Sequence, residues 1–448
     1  MTEGAGRLTS EHHRPPAPGP STMTVAVIGS GVAGLTAAHL LHPHHRVTVF
    51  EADARVGGHA NTVPVTLEGR TTWVDTGFLV YNERNYPGFI RLLDKLGVAT
   101  QPSDMSFSVS DERSGLQWRG TNLNSVFAQR RRAVSPTFLR MLADVVRFNR
   151  EARKMLNQAG GPTSDPSFTL EDLLAQGRYS AQFRDWYLIP MGSAIWSADP
   201  TTFLRYPAEA FARFFENHGL LRVGDQPSWR TVSGGSRRYV EALTAPLRSQ
   251  LRVGEPVTKI VRRASGVEVS TQSSAPATFD RVVIATHSDQ ALRLLSDPSQ
   301  AEREILGSIR FQPNVATLHT DSALLPGNRR ARAAWNYHVL DDSRARGAEQ
   351  GQRATLTYHL NTLQGLDAAA DICVTLNRPD APNPDLVVDH INYAHPVFDE
   401  AAIRAQRRLH EINGVNGTYY CGAYWGYGFH EDGVQSAIEV GRHFGATL

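Results

Sequence analysis

The chain has 448 residues, a formal net charge of +2, 41% hydrophobic and 20% charged side chains, which is the composition of a globular protein with core for two or three domains. That balance excludes fibrous and wholly disordered classes, and 46 basic against 44 acidic residues leave no cationic excess to make nucleic acid the main partner. Two cysteines, Cys373 and Cys421, cannot build a disulfide framework and lack metal-ligand spacing, so no metal site is expected and the setting reads as reducing and cytoplasmic.

Residues 1–22 are polar and Pro-rich with no apolar signal stretch, and read as a flexible tail. Val25 to Ile28 then form a buried strand that runs into Gly29-Ser30-Gly31-Val32-Ala33-Gly34 and a helix through Leu41. Arg46 to Glu51 is the next strand, with Glu51 and Ala52 at its end. This is a dinucleotide-binding βαβ unit: the glycines permit the turn, the approach of a pyrophosphate and close helix–strand packing, and Glu51 is placed for ribose hydroxyls. The unit also accounts for the most apolar window of the chain, so no transmembrane helix is needed.

Further on come Arg55-Val-Gly57-Gly58-His59, strands Thr62–Leu67 and Thr71–Val74, and a helix from Tyr86 to Leu96 that ends at Gly97. The stretch from about 100 to 230 is helix-rich, with helices predicted over Pro136–Leu156 and Pro200–Phe215. Strands follow at Val257–Arg262, Val267–Ser270 and Arg281–Ala285, then Ser288-Asp289 as the cap of a helix Gln290–Leu295. Residues 305 to 400 alternate strand patterns with turns, and a Gly-rich loop from Gly417 leads into a helix over Val434–Phe444. The fold class is α/β: a Rossmann-like dinucleotide domain from 23–85, 234–300 and 415–448, with an inserted α+β substrate-binding domain from 86–233 and 301–414.

Four separated motifs, GSGVAGL with Glu51, RVGGH followed by DTG, GEPVTKI with RVVIA, and the C-terminal glycine loop into a helix, resemble the FAD-dependent oxidoreductases of the flavin amine oxidase, protoporphyrinogen oxidase and phytoene desaturase superfamily. Through YNERNYP (81–87), QPSDMSFSVSD (101–111), PMGSAIWS (190–197) and CGAYWGYGFHEDG (421–433) the chain is most similar to a bacterial NAD/FAD-binding group linked with cyclopropane fatty-acyl synthases. The resemblance implies a glutathione-reductase-type domain with amine oxidase topology and FAD as cofactor. Gly29, Ser30, Gly31, Val32, Ala33, Gly34, Glu51 and Ala52 would hold the ADP half, Arg55, Gly58 and His59 would lie near the pyrophosphate or ribityl chain, and Val257 would meet the adenine. Gly422 would pass the isoalloxazine, and a helix starting near Gly433 and Val434 would face flavin N1 and O2, stabilising negative charge there.

The chain also departs from that family. His59 stands where many members have Arg, and Gly422-Ala423 where many have Gly-Glu. The chain has only three lysines, Lys95, Lys154 and Lys259, so the lysine that flavin amine oxidases place near N5 is not expected here. Phe429 replaces one of the two tyrosines that cage an amine.

His430, Tyr424 and Trp425 are the catalytic candidates, His430 as a base or proton relay because imidazole titrates near neutrality. The plainer reading has the aromatics packing the flavin and Glu431-Asp432 complementing the helix N-terminus. Trp196 and Phe429 are candidates to line the substrate pocket. His338, His359 and His395 read as structural, and neither a serine nucleophile elbow nor a P-loop lysine is present. The arginine-rich helical stretch from Arg130 to Arg153 is either a solvated amphipathic face or a peripheral membrane contact. The expected reaction is dehydrogenation of a small hydrophobic, lipid-like (fatty-acyl or polyene) substrate by hydride transfer to flavin N5. Amine oxidation, flavin-dependent double-bond isomerisation and a non-catalytic flavin scaffold for a partner enzyme stand as alternatives. Oligomeric state is not legible.

Overall fold

The computed structural model describes residues 22–158, 167–222, 224, 226–341 and 353–448; residues 1–21 of the expected tail lie outside them. Five parallel strands form the dinucleotide sheet, in the order Leu251–Val253, Arg46–Glu51, Thr24–Ile28, Arg281–Ile284, Thr418–Tyr420. Its central strand is apolar from Val25 to Ile28 because helices cover both faces of a parallel sheet. Val25, Ala26 and Val27 are fully buried there.

Two helices on this sheet determine where the site forms. Val32–Leu41 and His430–His443 pack through small residues: a Cβ on Gly433 would lie 2.8 Å from Val32 Cγ1, and one on Gly441 3.1 Å from Leu40 Cδ1. The equal offset of these two contacts makes the helices parallel, so both N-termini emerge on the same side of the sheet. The terminal helix starts at His430, four residues earlier than the expected Val434. Asp432 causes this by accepting the Phe429 N–H at 2.9 Å and closing the first turn.

The inserted unit is built on a seven-stranded sheet ordered Val387–Pro396, Phe311–His319, Cys373–Leu376, Leu356–His359, Trp335–Val339, Phe107–Asp111, Leu116–Arg119. Helices Pro136–Gln158, Ile189–Trp196 and Ala208–Asn217 pack with it in one apolar cluster. The expected helix Pro200–Phe215 is two helices, Pro200–Phe203 and Ala208–Asn217, because Pro207 has no N–H to continue the ladder. Helix Ser288–Leu294 is preceded by His287 as its N-cap rather than by the expected Ser288-Asp289 pair; Ser288 Oγ instead donates to Ile309 O at 2.6 Å.

A small sheet of Tyr81–Asn82, Trp229–Val232 and Thr100–Pro102 straddles the borders expected at 85/86 and 233/234. Behind it, buried Asp75 accepts from Thr62 Oγ1 (2.6 Å), the Ser236 N–H (2.9 Å) and Gln364 Nε2 (3.1 Å), tying the two units together. Burial pushes this carboxyl up to about 6 against those hydrogen bonds. Among the described residues no helix is long and apolar enough to cross a membrane.

The second anchor of the dinucleotide unit is ionic. Arg262 and Glu302 have side chains 4% and 2% exposed; Arg262 Nη2 donates to Glu302 Oε2 at 3.0 Å and the Tyr420 hydroxyl to Oε1 at 2.6 Å. Burial pushes the Glu302 carboxyl up, but hydrogen bonds from Arg262, Tyr420 and the Ser299 N–H outweigh it and hold the group below its ordinary 4.5. Arg262→Met therefore destabilises the protein by roughly 3–5 kcal/mol, since it strands a buried carboxylate, as measured by denaturant unfolding. Because the folded value lies below 4.5, the stability contributed by Glu302 is complete above that pH and is lost as the pH falls through the folded value. Arg262→Met flattens this acid limb of the stability curve. Gly433→Val, which places a methyl-bearing carbon against Val32, lowers both Tm and retained flavin, measured together by melting and by absorbance.

Candidate active site

The glycine turn comes first because it carries the tightest contacts. Gly29 adopts φ +100°, and a Cβ on Gly34 would lie 2.0 Å from Gly29 O, so the third glycine serves the turn itself and not a ligand. Gly31 is the N-cap of helix Val32–Leu41, has no capping side chain, and would hold a Cβ with nothing within 4 Å. The second glycine loop presses onto the first: Gly57 N–H donates to Ser30 O at 3.1 Å, and a Cβ on Gly58 would sit 3.2 Å from Gly31 Cα. Arg55 holds that loop by donating to Gly58 O at 2.8 Å. Glu51 accepts the N–H groups of Ser30 and Asp53, each at 2.9 Å.

These residues open onto a cavity of about 1810 Å³. Gly29, Ser30, Gly31, Val32, Ala33, Glu51, Ala52, Arg55, Gly58, His59, Val257, Gly422, Tyr424, Phe429, His430 and Trp196 all line it. Gly34, Gly433, Val434 and Trp425 do not. Gly433 and Val434 lie inside the terminal helix, where the Gly433 N–H is spent on Phe429 O at 3.1 Å, so the helix end that borders the cavity is the turn at Phe429 and His430. Trp425 packs on Tyr424, with ring centroids 4.9 Å apart, on the side of helix Glu400–Gln406. Of the three catalytic candidates it is the one outside the cavity lining.

His430 lines the cavity and is tied into its wall. Its ring stacks on Phe78 at 3.6 Å and its Nε2 is bonded to the Tyr239 hydroxyl at 2.7 Å. Burial holds the imidazole down to about 3, so it is uncharged near neutrality. Burial likewise holds the Tyr424 hydroxyl protonated, far above the ordinary value. The carboxylates beside His430 act structurally: Glu431 accepts the Gly88 and Phe89 N–H groups at 2.9 and 2.8 Å, capping helix Pro87–Leu96, while Asp432 closes its own helix turn.

Trp196 and Phe429 are brought together around Phe214, whose ring lies 4.7 Å from the first and 5.4 Å from the second. Trp196 Nε1 donates to Tyr427 O at 3.0 Å, fixing the indole in the wall. His59 stacks on Tyr393 at 4.7 Å with its Nε2 unpartnered. Burial first, then His395, His287, His430 and Arg55 nearby, lower its value well below 6.5.

Sequence reasoning missed Ala285, Thr286 and His287, which line the cavity. They directly follow strand Arg281–Ile284, at the carboxyl end of a parallel strand where such sheets bind ligands. That position was the available signal. His395 also lines the cavity, with Nδ1 2.8 Å from Asn314 Nδ2, whereas His338 and His359 are structural, bonded to Thr357 and to Thr362 and Asp371.

The residues present fit FAD. The uncapped first turn of helix Val32–Leu41 and the open space at Gly31 would leave donors for phosphates, the unpartnered His59 Nε2 would border the same wall, and Glu51, at the end of its strand, would accept from the ribose.

Residues 32–340 match the family model described as flavin containing amine oxidoreductase. The Mycobacterium tuberculosis protein named as the flavin-containing monoamine oxidase AofH is 28% identical over 295 residues, 62% of this chain and 60% of its own length. The Arabidopsis thaliana polyamine oxidase 2 is 27% identical over 302 residues, 65% of this chain and 54% of its own. The chain thus spans less than two thirds of these relatives. Solved structures with the same fold include cyclohexylamine oxidase from Brevibacterium oxydans, with TM-score 0.67, 15% identity and coverage of 95% and 100%. Another is a conjugated-linoleic-acid-producing fatty acid isomerase from P. acnes, with TM-score 0.66, 16% identity and coverage of 95% and 99%. The chain belongs to the flavin-containing amine oxidoreductase family, and the cofactor of its dinucleotide site is FAD.

Proposed function

We propose that the protein is an FAD-dependent oxidoreductase that dehydrogenates an apolar, lipid-like substrate. One observation carries this reading: the part of the cavity beyond the dinucleotide is walled by Trp118, Val126, Leu142, Val145, Met191, Ile195 and the Trp196–Phe214–Phe429 group. The charged residues of the lining are Glu51, Asp53, Arg55, Asp289 and Arg293 in the dinucleotide unit, and Asp104 and Arg222, which are exposed. A cationic amine or a zwitterionic amino acid would enter an enclosed wall without a counter-charge, at a cost of several kcal/mol. An acyl or polyene chain gains from the same wall through burial of apolar area.

The lysines point the same way. Lys95, Lys154 and Lys259 are all exposed and none lines the cavity. The histidines in the wall are held neutral by burial, His218 and His395 to about 4 and His430 to about 3. The described residues that line the cavity would therefore orient the substrate and exclude water, with His218, His395 and His430 weak bases near neutral pH. When bound, FAD supplies the two-electron acceptor that such a dehydrogenation needs. Glu51, Ser30, Gly31 and the N-terminus of helix Val32–Leu41 would hold it, and the Phe78–His430 stack would form a fixed wall beside it.

Purified protein is expected to be yellow, and anaerobic mixing with long-chain unsaturated fatty acyl compounds to bleach the flavin, while simple amines leave it oxidised. Bleaching by amines and not by lipids would reverse this reading, and a shifted double bond without steady-state bleaching would replace dehydrogenation by isomerisation. His430→Gln is expected to keep kcat within about tenfold of the parent, because a lost general base would cost about 10²–10⁴. His218 and His395 lie at about 4 and His430 at about 3, and His59 and His287 are also lowered by burial, so kcat/KM is expected to stay level from about pH 7 to 8.5. An inflection inside that window, removed by His430→Gln, would show that His430 does titrate in the reaction.

A further inference from the structure

Residues 123–158 carry eight arginine and lysine side chains against two acidic ones, in a chain whose net charge is only +2. Both acids are engaged within the protein. Asp144 is buried between Arg147 at 2.8 Å and Arg140 at 3.6 Å, and Glu151 accepts the Tyr179 hydroxyl. Arg131 and Arg150 are exposed, and among the described residues no carboxylate lies within ion-pair distance of either.

Between these cations stand four exposed aliphatic side chains: Leu123 at 77%, Val134 at 82%, Leu139 at 43% and Val146 at 70% exposure. On helix Pro136–Gln158 the spacing of Leu139, Val146, Arg150 and Arg153 puts them on one stripe. Leu142, Val145 and Asn149 occupy the adjoining stripe and line the cavity. Gly120 and Thr121, exposed and just before Leu123, line the same cavity. A mouth of the apolar chamber therefore opens beside the protruding aliphatic side chains.

We propose that this face seats the protein on an anionic lipid bilayer, with the cavity mouth at Gly120 and Thr121 turned toward the lipid. Single aliphatic side chains among arginines are suited to dip into the acyl boundary while the guanidinium groups pair with lipid phosphates. An acidic protein partner would be matched by the arginines but would leave four protruding aliphatic groups without a groove to fill. Nucleic acid would call for exposed aromatic rings to stack bases, and the phenylalanines of this segment are not exposed. The proposal concerns the surface and holds whichever apolar compound the site oxidises.

The test uses the full-length, FAD-loaded protein and sedimentation with vesicles of phosphatidylcholine alone or mixed with phosphatidylserine. The expected result is binding to the mixed vesicles, weak binding to phosphatidylcholine alone, and release as salt is raised. The double variant R131E/R150E is expected to bind mixed vesicles at least about tenfold more weakly. The double variant L139S/V146S is expected to lose binding even at low salt. Both should keep the flavin absorbance and Tm of the parent, since none of the four residues is buried. Failure of the parent to bind mixed vesicles at low salt would overturn the proposal, as would parent-like binding by both variants. Concentration-dependent dimerisation that is abolished by L139S/V146S, without vesicle binding, would assign the face to a second copy of the chain instead.

Discussion

The parallel contact between helices Val32–Leu41 and His430–His443 is the constraint on which the rest of the site depends. Glycine at 433 and 441 lets the two backbones approach until Val32 and Leu40 would touch an added Cβ. At that distance the two N-termini are held side by side at the carboxyl edge of the sheet. Residues some 400 positions apart in the chain thereby share one cavity, with the pyrophosphate-binding turn and the aromatic loop as neighbours. Glu431 extends the same arrangement outward by capping helix Pro87–Leu96, so a third helix is oriented by the second.

Burial then sets the chemistry available in that cavity. Imidazoles that would titrate near neutrality in water are held uncharged by desolvation, and tyrosine hydroxyls are held protonated for the same reason. The buried carboxylates are held by paired hydrogen bonds, Asp75 with Ser236 and Gln364, and Glu302 with Arg262 and Tyr420. Around the Trp196–Phe214–Phe429 group the wall is aromatic and aliphatic. The charge of the molecule is correspondingly displaced to its exterior, most densely on the arginine-rich helix that flanks the mouth.

Local signals in the chain were sufficient wherever a single short-range rule decided the outcome. The strand into Gly29, the acid at Glu51, the helix stop at Gly97 and the paired strands Thr62–Leu67 and Arg70–Asp75 all follow from glycine geometry and β-branched runs. The misreadings arose where a longer contact intervened. The terminal helix starts at His430 because Asp432 closes its turn, and Ser288 is drawn from a capping role by Ile309 O. Trp425 looked equivalent to Tyr424 in the sequence, yet only Tyr424 lines the cavity, while Trp425 packs on its ring.

The sequence by itself determined that this is a dinucleotide-binding α/β chain with a second unit inserted, because glycine spacing and strand composition act over a few residues. Only the tertiary structure decided which side chains line the cavity, which histidines are held neutral by burial and where the chamber opens. Those properties depend on burial and on contacts between segments hundreds of residues apart, and neither is encoded in any local pattern.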